Sequence, residues 1–192
     1  MRRIGVFGGS FDPVHNAHVA LAGVALEQLR LDEVRWIPVG QPSQKTRLLA
    51  DGADREAMVR LAIAGEPRFV LDRTELRRRG TSYTLDTVRE FRAAEPDAEW
   101  FLVLGQDQYA SLNTWRDWRD LVGLVTLAIA NRPGAEPAVN AMVARTASQI
   151  VTLPMMDMSS TEVRRRVAAG EPIGDLVPAA VAGYIERRRL YR

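Results

Sequence analysis

Cysteine is absent from this sequence, which excludes disulfides, cysteine nucleophiles and thiolate metal sites. Histidine occurs only twice, at His15 and His18, so a histidine-rich metal cage is excluded as well. Any metal in use is then a hard cation held mainly by phosphate oxygens, and Mg²⁺ is the expectation. No apolar run approaches the roughly 18 residues of a membrane span. Met1-Arg2-Arg3 has the charge of a signal n-region, but Asp12 and both histidines interrupt the stretch where an apolar core would follow. A cytoplasmic protein with no membrane partner is expected. Lysine is nearly missing too: Lys45 is the sole one, and the other basic residues are arginines. Nine of these arginines fall in three triplets, at 77–79, 164–166 and 187–189. They are scattered and have acidic neighbours, so solvated basic faces are expected rather than a nucleic-acid partner.

What is present is an ordinary globular composition, 46% apolar, on a chain of 192 residues, which suits a single α/β domain. Strand patterns fall at 4–7, 34–38, 69–72, 100–104, 125–130 and 150–153. Helix patterns fall at 16–29, 54–64, 84–94, 106–113, 138–147, 161–169 and 178–189. Strand–helix alternation predicts a doubly wound parallel sheet spanning 1–192, with 155–192 as a small C-terminal helical part. Ligands of such sheets bind beyond the carboxyl ends of the strands.

One loop carries most of the chemistry. Gly8-Gly9-Ser10-Phe11-Asp12-Pro13 joins the first strand to a helix that opens with His15 and His18. A glycine loop running into a helix N-terminus suits a phosphate. Imidazole donors there can stabilise charge growing on bridging oxygens. Ser10 can add a hydroxyl, while Asp12 and Pro13 have the chemistry of a shaped turn. Near the other end, Ser159-Ser160-Thr161-Glu162 fits a capping box and brings a second helix N-terminus, with Arg164 on its first turns. Gly105-Gln106-Asp107 follows a strand; Asp107 can accept from ribose hydroxyls or cap the next helix.

The first motif, Gly-Gly-Ser-Phe-Asp-Pro-x-His-x-x-His, resembles the signature of the nucleotidyltransferase superfamily, with Ala17 where that signature usually has glycine. The segment Ser159-Ser160-Thr161-x-Val163-Arg164 resembles the C-terminal signature of its adenylyl-transferring branch, where it grips the β- and γ-phosphates. Ser82-Tyr83-Thr84, Gly105-x-Asp107, Thr114-Trp115 and Leu190-Tyr191-Arg192 follow in an order similar to the bacterial nicotinate-nucleotide adenylyltransferase family across nearly the whole chain. That resemblance implies adenylyl transfer from ATP to nicotinate mononucleotide, with Mg²⁺ accompanying the ATP. It implies His15, His18 and Arg164 as catalytic residues. Gly8, Gly9, Ser10, Phe11, Gly105, Asp107, Ser159, Ser160 and Thr161 are implied at ATP. Lys45, Tyr83, Thr84, Trp115, Arg116 and Arg132 are implied at the mononucleotide. The family's Pro-Pro-His-Lys reads Pro42-Ser43-Gln44-Lys45 here, so Gln44 inherits no histidine role.

Two alternatives stay open at this stage. One is an adenylyltransferase for another phosphorylated acceptor, nicotinamide mononucleotide or pantetheine phosphate. Thr114-Trp115 and the chain length argue against the pantetheine branch. The other is a non-catalytic nucleotide-binding module, against which His15, His18 and Arg164 argue. A redox dinucleotide site is disfavoured because Gly5-Val6-Phe7-Gly8-Gly9 is not G-x-G-x-x-G.

Overall fold

The computed structural model describes residues 1–43, 48–131, 139–152, 156 and 158–192. Its strands are β1 (Arg3–Gly9), β2 (Glu33–Pro38), β3 (Gln41–Pro42), β4 (Phe69–Leu71), β5 (Thr81–Ser82), β6 (Glu99–Leu104), β7 (Thr126–Asn131) and β8 (Ser148–Thr152). Its helices are α1 (Asn16–Gln28), α2 (Gly52–Ile63), α3 (Thr74–Arg77), α4 (Thr84–Ala94), α5 (Gln106–Ala110), α6 (Trp118–Val122), α7 (Ser160–Ala169) and α8 (Ala179–Arg188). Six strands form one parallel sheet in the order β4-β2-β1-β6-β7-β8. β3 and β5 pair separately, also in parallel. The chain winds outward from β1 to one edge, then returns to β6 and winds to the other. The expected doubly wound α/β sheet is what forms, and β1 and β6 flank its switch point.

The period-two alternation of the strands explains both layers. In β6, Trp100, Leu102 and Leu104 face one core with Val88 and Phe91 of α4. Phe101 and Val103 face the other, with Leu26 of α1 and Met58 of α2. β7 repeats the pattern, Leu127 and Ile129 against Ala128 and Ala130. Strands covered on both faces read as continuous apolar runs, which is why they were legible. Val163 of α7 and Val181 and Ile185 of α8 join the same core as Phe7 and Trp36. Asp54 ties α8 to α2, accepting from Tyr184 Oη at 2.7 Å and Arg188 Nε at 3.1 Å.

Some elements depart from expectation. The helix expected over 138–147 is absent from its described part, where only a 3-10 turn, Val143–Arg145, forms. Asn140 Oδ1 accepts from Met142 N at 2.9 Å, and Thr146 Oγ1 donates to Val143 O at 2.7 Å. These local side-chain bonds give the backbone an alternative to the helical ladder. The helix expected over 106–113 stops at Ala110, where Ser111 Oγ takes the carbonyl of Asp107 at 2.9 Å. The short elements β3, α3, β5 and α6 carry too few residues to show a period. Each arginine triplet has ion-paired members: Arg78 with Glu90, Arg165 and Arg166 with Glu162, and Arg188 with Asp54. Among the described residues no helix is long and apolar enough to cross a membrane.

The two-layer core makes a stability expectation. Leu127 is fully buried, whereas Ile150 on edge strand β8 is 63% exposed. Leu127→Ala should cost roughly 2–5 kcal/mol, and Ile150→Ala should stay within about 0.5 kcal/mol. Urea unfolding of both variants checks this; equal losses would contradict the assignment of the cores.

Candidate active site

The loop between β1 and α1 is shaped by packing before it is shaped by any ligand. Phe11 takes φ +46, a left-handed conformation uncommon for a bulky residue, and its ring is buried. A Cβ on Gly9 would lie 3.1 Å from that ring, so any larger residue here would press on it and force it to give by a few tenths of an ångström. The buried carboxylate of Asp12 accepts from Leu49 N at 2.7 Å, Ala50 N at 3.1 Å and Tyr191 Oη at 2.7 Å. The loop carbonyls are held from outside. Arg55 Nη1 donates to Ser10 O at 2.9 Å, Arg164 Nη1 to Asp12 O at 2.7 Å, and Ser160 Oγ to Pro13 O at 2.8 Å. Burial pulls the Arg55 guanidinium below its ordinary range, and the Asp12 carboxylate opposes that pull. Two helices, α2 and α7, and the tail after α8 thus converge on this loop.

His15 and His18 stack with ring centroids 3.6 Å apart. His18 Nδ1 accepts from the His15 backbone N at 3.1 Å, so the proton of the neutral ring sits on Nε2. Phe11 meets the His18 ring edge to face at 5.1 Å. Burial lowers the His15 pKa to about 4. Burial, and then the neighbouring His15, hold His18 well below the ordinary imidazole range. Both rings are therefore neutral near pH 7. His15 Nδ1 is buried without a hydrogen-bond partner.

The N–H groups that open α1 are already engaged, contrary to the simple picture of an open helix end. Asn16 N donates to Leu176 O at 2.9 Å and His18 N to His15 O at 3.0 Å. Ala17 N reaches the thioether Sδ of Met158 at 3.2 Å. A thioether is a weak acceptor, which makes Ala17 N the most easily reclaimed of the three.

Two cavities open beyond the carboxyl end of β1. One, of about 300 Å³, is bounded by His15, His18, Gly105, Asp107, Ser159 and Ser160. The other, of about 260 Å³, is bounded by Glu75, Ser82, Tyr83, Thr84, Trp115 and Arg116. They share Gly8, Gly9, Ser10 and Gln108. The second receives the N-terminus of α4, whose N-cap Tyr83 provides no side-chain cap. The guanidinium of Arg116 lies 4.4 Å from the centroid of the Tyr83 ring.

Most of the candidate residues are thus gathered at two adjoining cavities. Phe11 is not on either wall; it supports Gly9 from below. Arg164 and Thr161 are on neither lining: Arg164 Nη2 bonds Thr161 Oγ1 at 3.2 Å while Nη1 holds the loop. Ser159 caps α7 by accepting from Glu162 N at 3.2 Å, but the Glu162 carboxylate turns to Arg165 and Arg166, so only half of the capping box forms. Lys45 and Arg132 lie outside the described residues. Sequence reasoning missed Arg55, Glu75, Ser82, Gln108 and Met158. Only Ser82 had a signal, its place beside Tyr83-Thr84.

Residues 6–166 match the cytidylyltransferase-like family. The chain is 50% identical over 196 residues to a probable nicotinate-nucleotide adenylyltransferase of Methylibium petroleiphilum, covering 99% of this chain and 92% of that one. It is 46% identical to a similarly named protein of Chromobacterium violaceum, covering 99% of each. Among solved structures, the Plasmodium falciparum nicotinic acid mononucleotide adenylyltransferase complexed with NaAD is similar with a TM-score of 0.82, covering 100% of this chain and 98% of that one. At 19% identity this is a likeness of fold.

The neutral imidazoles lead to a pH expectation. An unfolded histidine binds its proton near pH 6.5, the folded pair only at lower pH. Their contribution to stability is thus complete above about pH 6.5 and drains away as pH falls toward about 4. With two histidines, the ring resonances are readily followed by NMR. Neither should titrate between about pH 8 and pH 5.5; a midpoint near 6.5 for either would contradict the burial argument.

Proposed function

The chain belongs to the cytidylyltransferase-like family, among its nicotinate-nucleotide adenylyltransferases, and on that premise we propose that it transfers the adenylyl group of ATP to nicotinate mononucleotide. The products are nicotinate adenine dinucleotide and pyrophosphate, a step in building NAD. The observation that carries this reading is the pair of cavities sharing Gly8, Gly9 and Ser10. A transfer between two nucleotides needs two adjoining sites, with the transferred phosphorus at their junction.

In the proposed reaction ATP occupies the cavity at His15, His18, Asp107 and Ser159, and the mononucleotide the cavity at Tyr83, Thr84 and Trp115. A 5′-phosphate oxygen of the mononucleotide bonds to the α-phosphorus. The bond from that phosphorus to the α–β bridging oxygen breaks, and pyrophosphate leaves with the electron pair. No covalent enzyme intermediate is needed, so the protein acts by positioning and by stabilising spread charge. His18 supplies an Nε2–H donor that is neutral beforehand and requires no proton to be moved. Phosphate oxygens compete with Met158 Sδ for Ala17 N, as the stronger acceptor. Arg164 acts through the loop, by fixing the Asp12 carbonyl, as well as by its charge.

Among the described residues no group of three or more His, Cys, Asp or Glu could hold a metal ion. Asp107 is the one acidic residue on the first cavity's described lining. This donor set fits Mg²⁺ carried on the triphosphate, with Asp107 as the protein group able to approach it. When bound, the ion would neutralise part of the triphosphate charge. The reaction would run in the cytoplasm, where ATP is available. No nucleic-acid or membrane partner is invoked.

Two outcomes test the reading. His18→Ala should lower kcat by roughly 10²-fold or more, the scale of one lost transition-state donor, with folding retained by circular dichroism. Near-wild-type turnover would remove His18 from catalysis. Acceptor choice is the sharper measurement. Backbone N–H groups at the start of α4 can pair with both oxygens of the nicotinate carboxylate. The amide instead turns an NH₂ donor toward one of them, and two buried donors then face each other. The α4 dipole adds attraction for the anion alone. kcat/KM for nicotinate mononucleotide should exceed that for the amide by at least about 10²-fold, or roughly 2.7 kcal/mol. Equal use of both acceptors would overturn this specificity.

A further inference from the structure

Two polar groups on the second cavity have no assigned role. Ser82 is 4% exposed, lines the cavity, and its Oγ is buried with no hydrogen-bond partner. Buried hydroxyls without partners are costly and uncommon, so an unmet bond here points to something that completes it. Glu75 is 7% exposed and lines the same cavity. Its Oε1 accepts from Thr87 Oγ1 at 2.8 Å, and that hydroxyl in turn accepts from Arg78 Nη1 at 3.1 Å. No described residue donates a hydrogen bond to Oε2.

Both groups are held where they are by backbone. A Cβ on Gly40 would fall 2.1 Å from Glu75 O, so the chain after β2 presses directly on the Glu75 peptide. Ser82 is paired with Pro42 in the β3–β5 ladder. Burial pushes the Glu75 carboxyl above its ordinary range, because its surroundings solvate the charge poorly. An incoming hydrogen-bond donor would relieve that.

The chemistry of the acceptor selects the donor. A nicotinate mononucleotide carries a ring carboxylate, a phosphate, a ring nitrogen substituted by the sugar, and a ribose. Near neutral pH its ribose hydroxyls are its dependable hydrogen-bond donors. The carboxylate and phosphate would repel Glu75. We propose that Glu75 and Ser82 read the ribose diol of the acceptor mononucleotide, Glu75 Oε2 accepting from one hydroxyl and Ser82 Oγ completing a second bond to the diol. This rests on the adenylyl-transfer reading above and adds a specificity element to it.

The experiment measures pyrophosphate release by wild type, Ser82→Ala and Glu75→Gln, with ATP and with nicotinate mononucleotide or its 2′-deoxy and 3′-deoxy forms. If Thr87 keeps donating to the amide oxygen, Glu75→Gln turns an NH₂ donor toward the sugar. Each variant should raise KM for the ribose acceptor by roughly 10-fold or more, the scale of one hydrogen bond in a desolvated site, with KM for ATP unchanged. At least one deoxy acceptor should cost the wild type a similar factor and cost the matching variant little further. Ser82→Ala should also melt at or above the wild-type temperature, since it removes an unpaired buried hydroxyl. A structural role would not combine retained stability with weakened acceptor use. Unchanged acceptor KM in Ser82→Ala, or variant and deoxy losses that multiply in full, would overturn the proposal; if Glu75→Gln does not fold, Ser82→Ala decides it. Wild-type protein that releases no pyrophosphate with ATP and nicotinate mononucleotide would instead sink the adenylyl-transfer reading itself.

Discussion

The buried carboxylate of Asp12 is the constraint on which the site depends. Removing a carboxylate from water costs several kcal/mol unless hydrogen bonds replace the lost hydration. Asp12 receives three, from Leu49 N, Ala50 N and Tyr191 Oη. Those donors come from the segment before α2 and from the far end of the chain, so one side chain ties two distant stretches to the loop after β1. Tyr191 itself takes φ +63 to reach it. A left-handed tyrosine is disfavoured locally and persists because this contact holds it. The loop cannot relax without giving up bonds to Asp12, Ser10, Asp12's own carbonyl and Pro13 together.

That rigidity explains the state of the histidines. With the loop fixed, the His15 N–H has one direction, and it meets His18 Nδ1. The tautomer of His18 follows from that bond. The aromatic wall of Phe7 and Phe11 excludes water from the ring, which keeps it neutral. A preorganised donor of this kind needs no reorganisation as charge develops, and the loss of one such donor typically costs about 2.7–4 kcal/mol of barrier. Packing, tautomer and proposed catalysis are therefore linked, starting from an acid that lines neither cavity.

The parts legible in the sequence share a property: their information is local. Strands buried on both faces announce themselves as apolar runs, and β1, β2, β6 and β7 were found within a residue or two at most ends. The loop after β1 and His15 and His18 lie within one contiguous motif. What was missed is non-local or too short. Arg55 reads as an exposed helical arginine until the fold brings it under Ser10. Glu75 sits in a four-residue helix among arginines, and only the approach of Gly40 makes it a cavity residue. The Ala138 region has helical composition, but Asn140 and Thr146 spend their side chains on the backbone instead. Arg164 stands out in the sequence as a candidate site residue, but its contact with the Asp12 carbonyl is visible only in three dimensions.

The electrostatics of the proposed ATP cavity follow from what lines it. Among its described residues there is no arginine or lysine. Its side chains are neutral imidazoles, hydroxyls and amides, with Asp107 the sole charge. Favourable potential for a triphosphate then comes from the backbone, with the Arg164 guanidinium acting from behind the loop. α1 and α7 both begin at this cavity, through His15 and His18 for one and Ser159 and Ser160 for the other. Each helix N-terminus carries the equivalent of roughly half a positive charge, so two together match about one cation without placing a mobile side chain there. Backbone dipoles are fixed by the fold and lose no rotamer entropy on binding. The remainder of the triphosphate charge is left for an ion that arrives with it. This division suits a transfer reaction, because the pyrophosphate must also leave: a cavity built from neutral donors and helix ends holds the charge distribution at the junction of the two sites without gripping the departing product as tightly as an arginine cluster would.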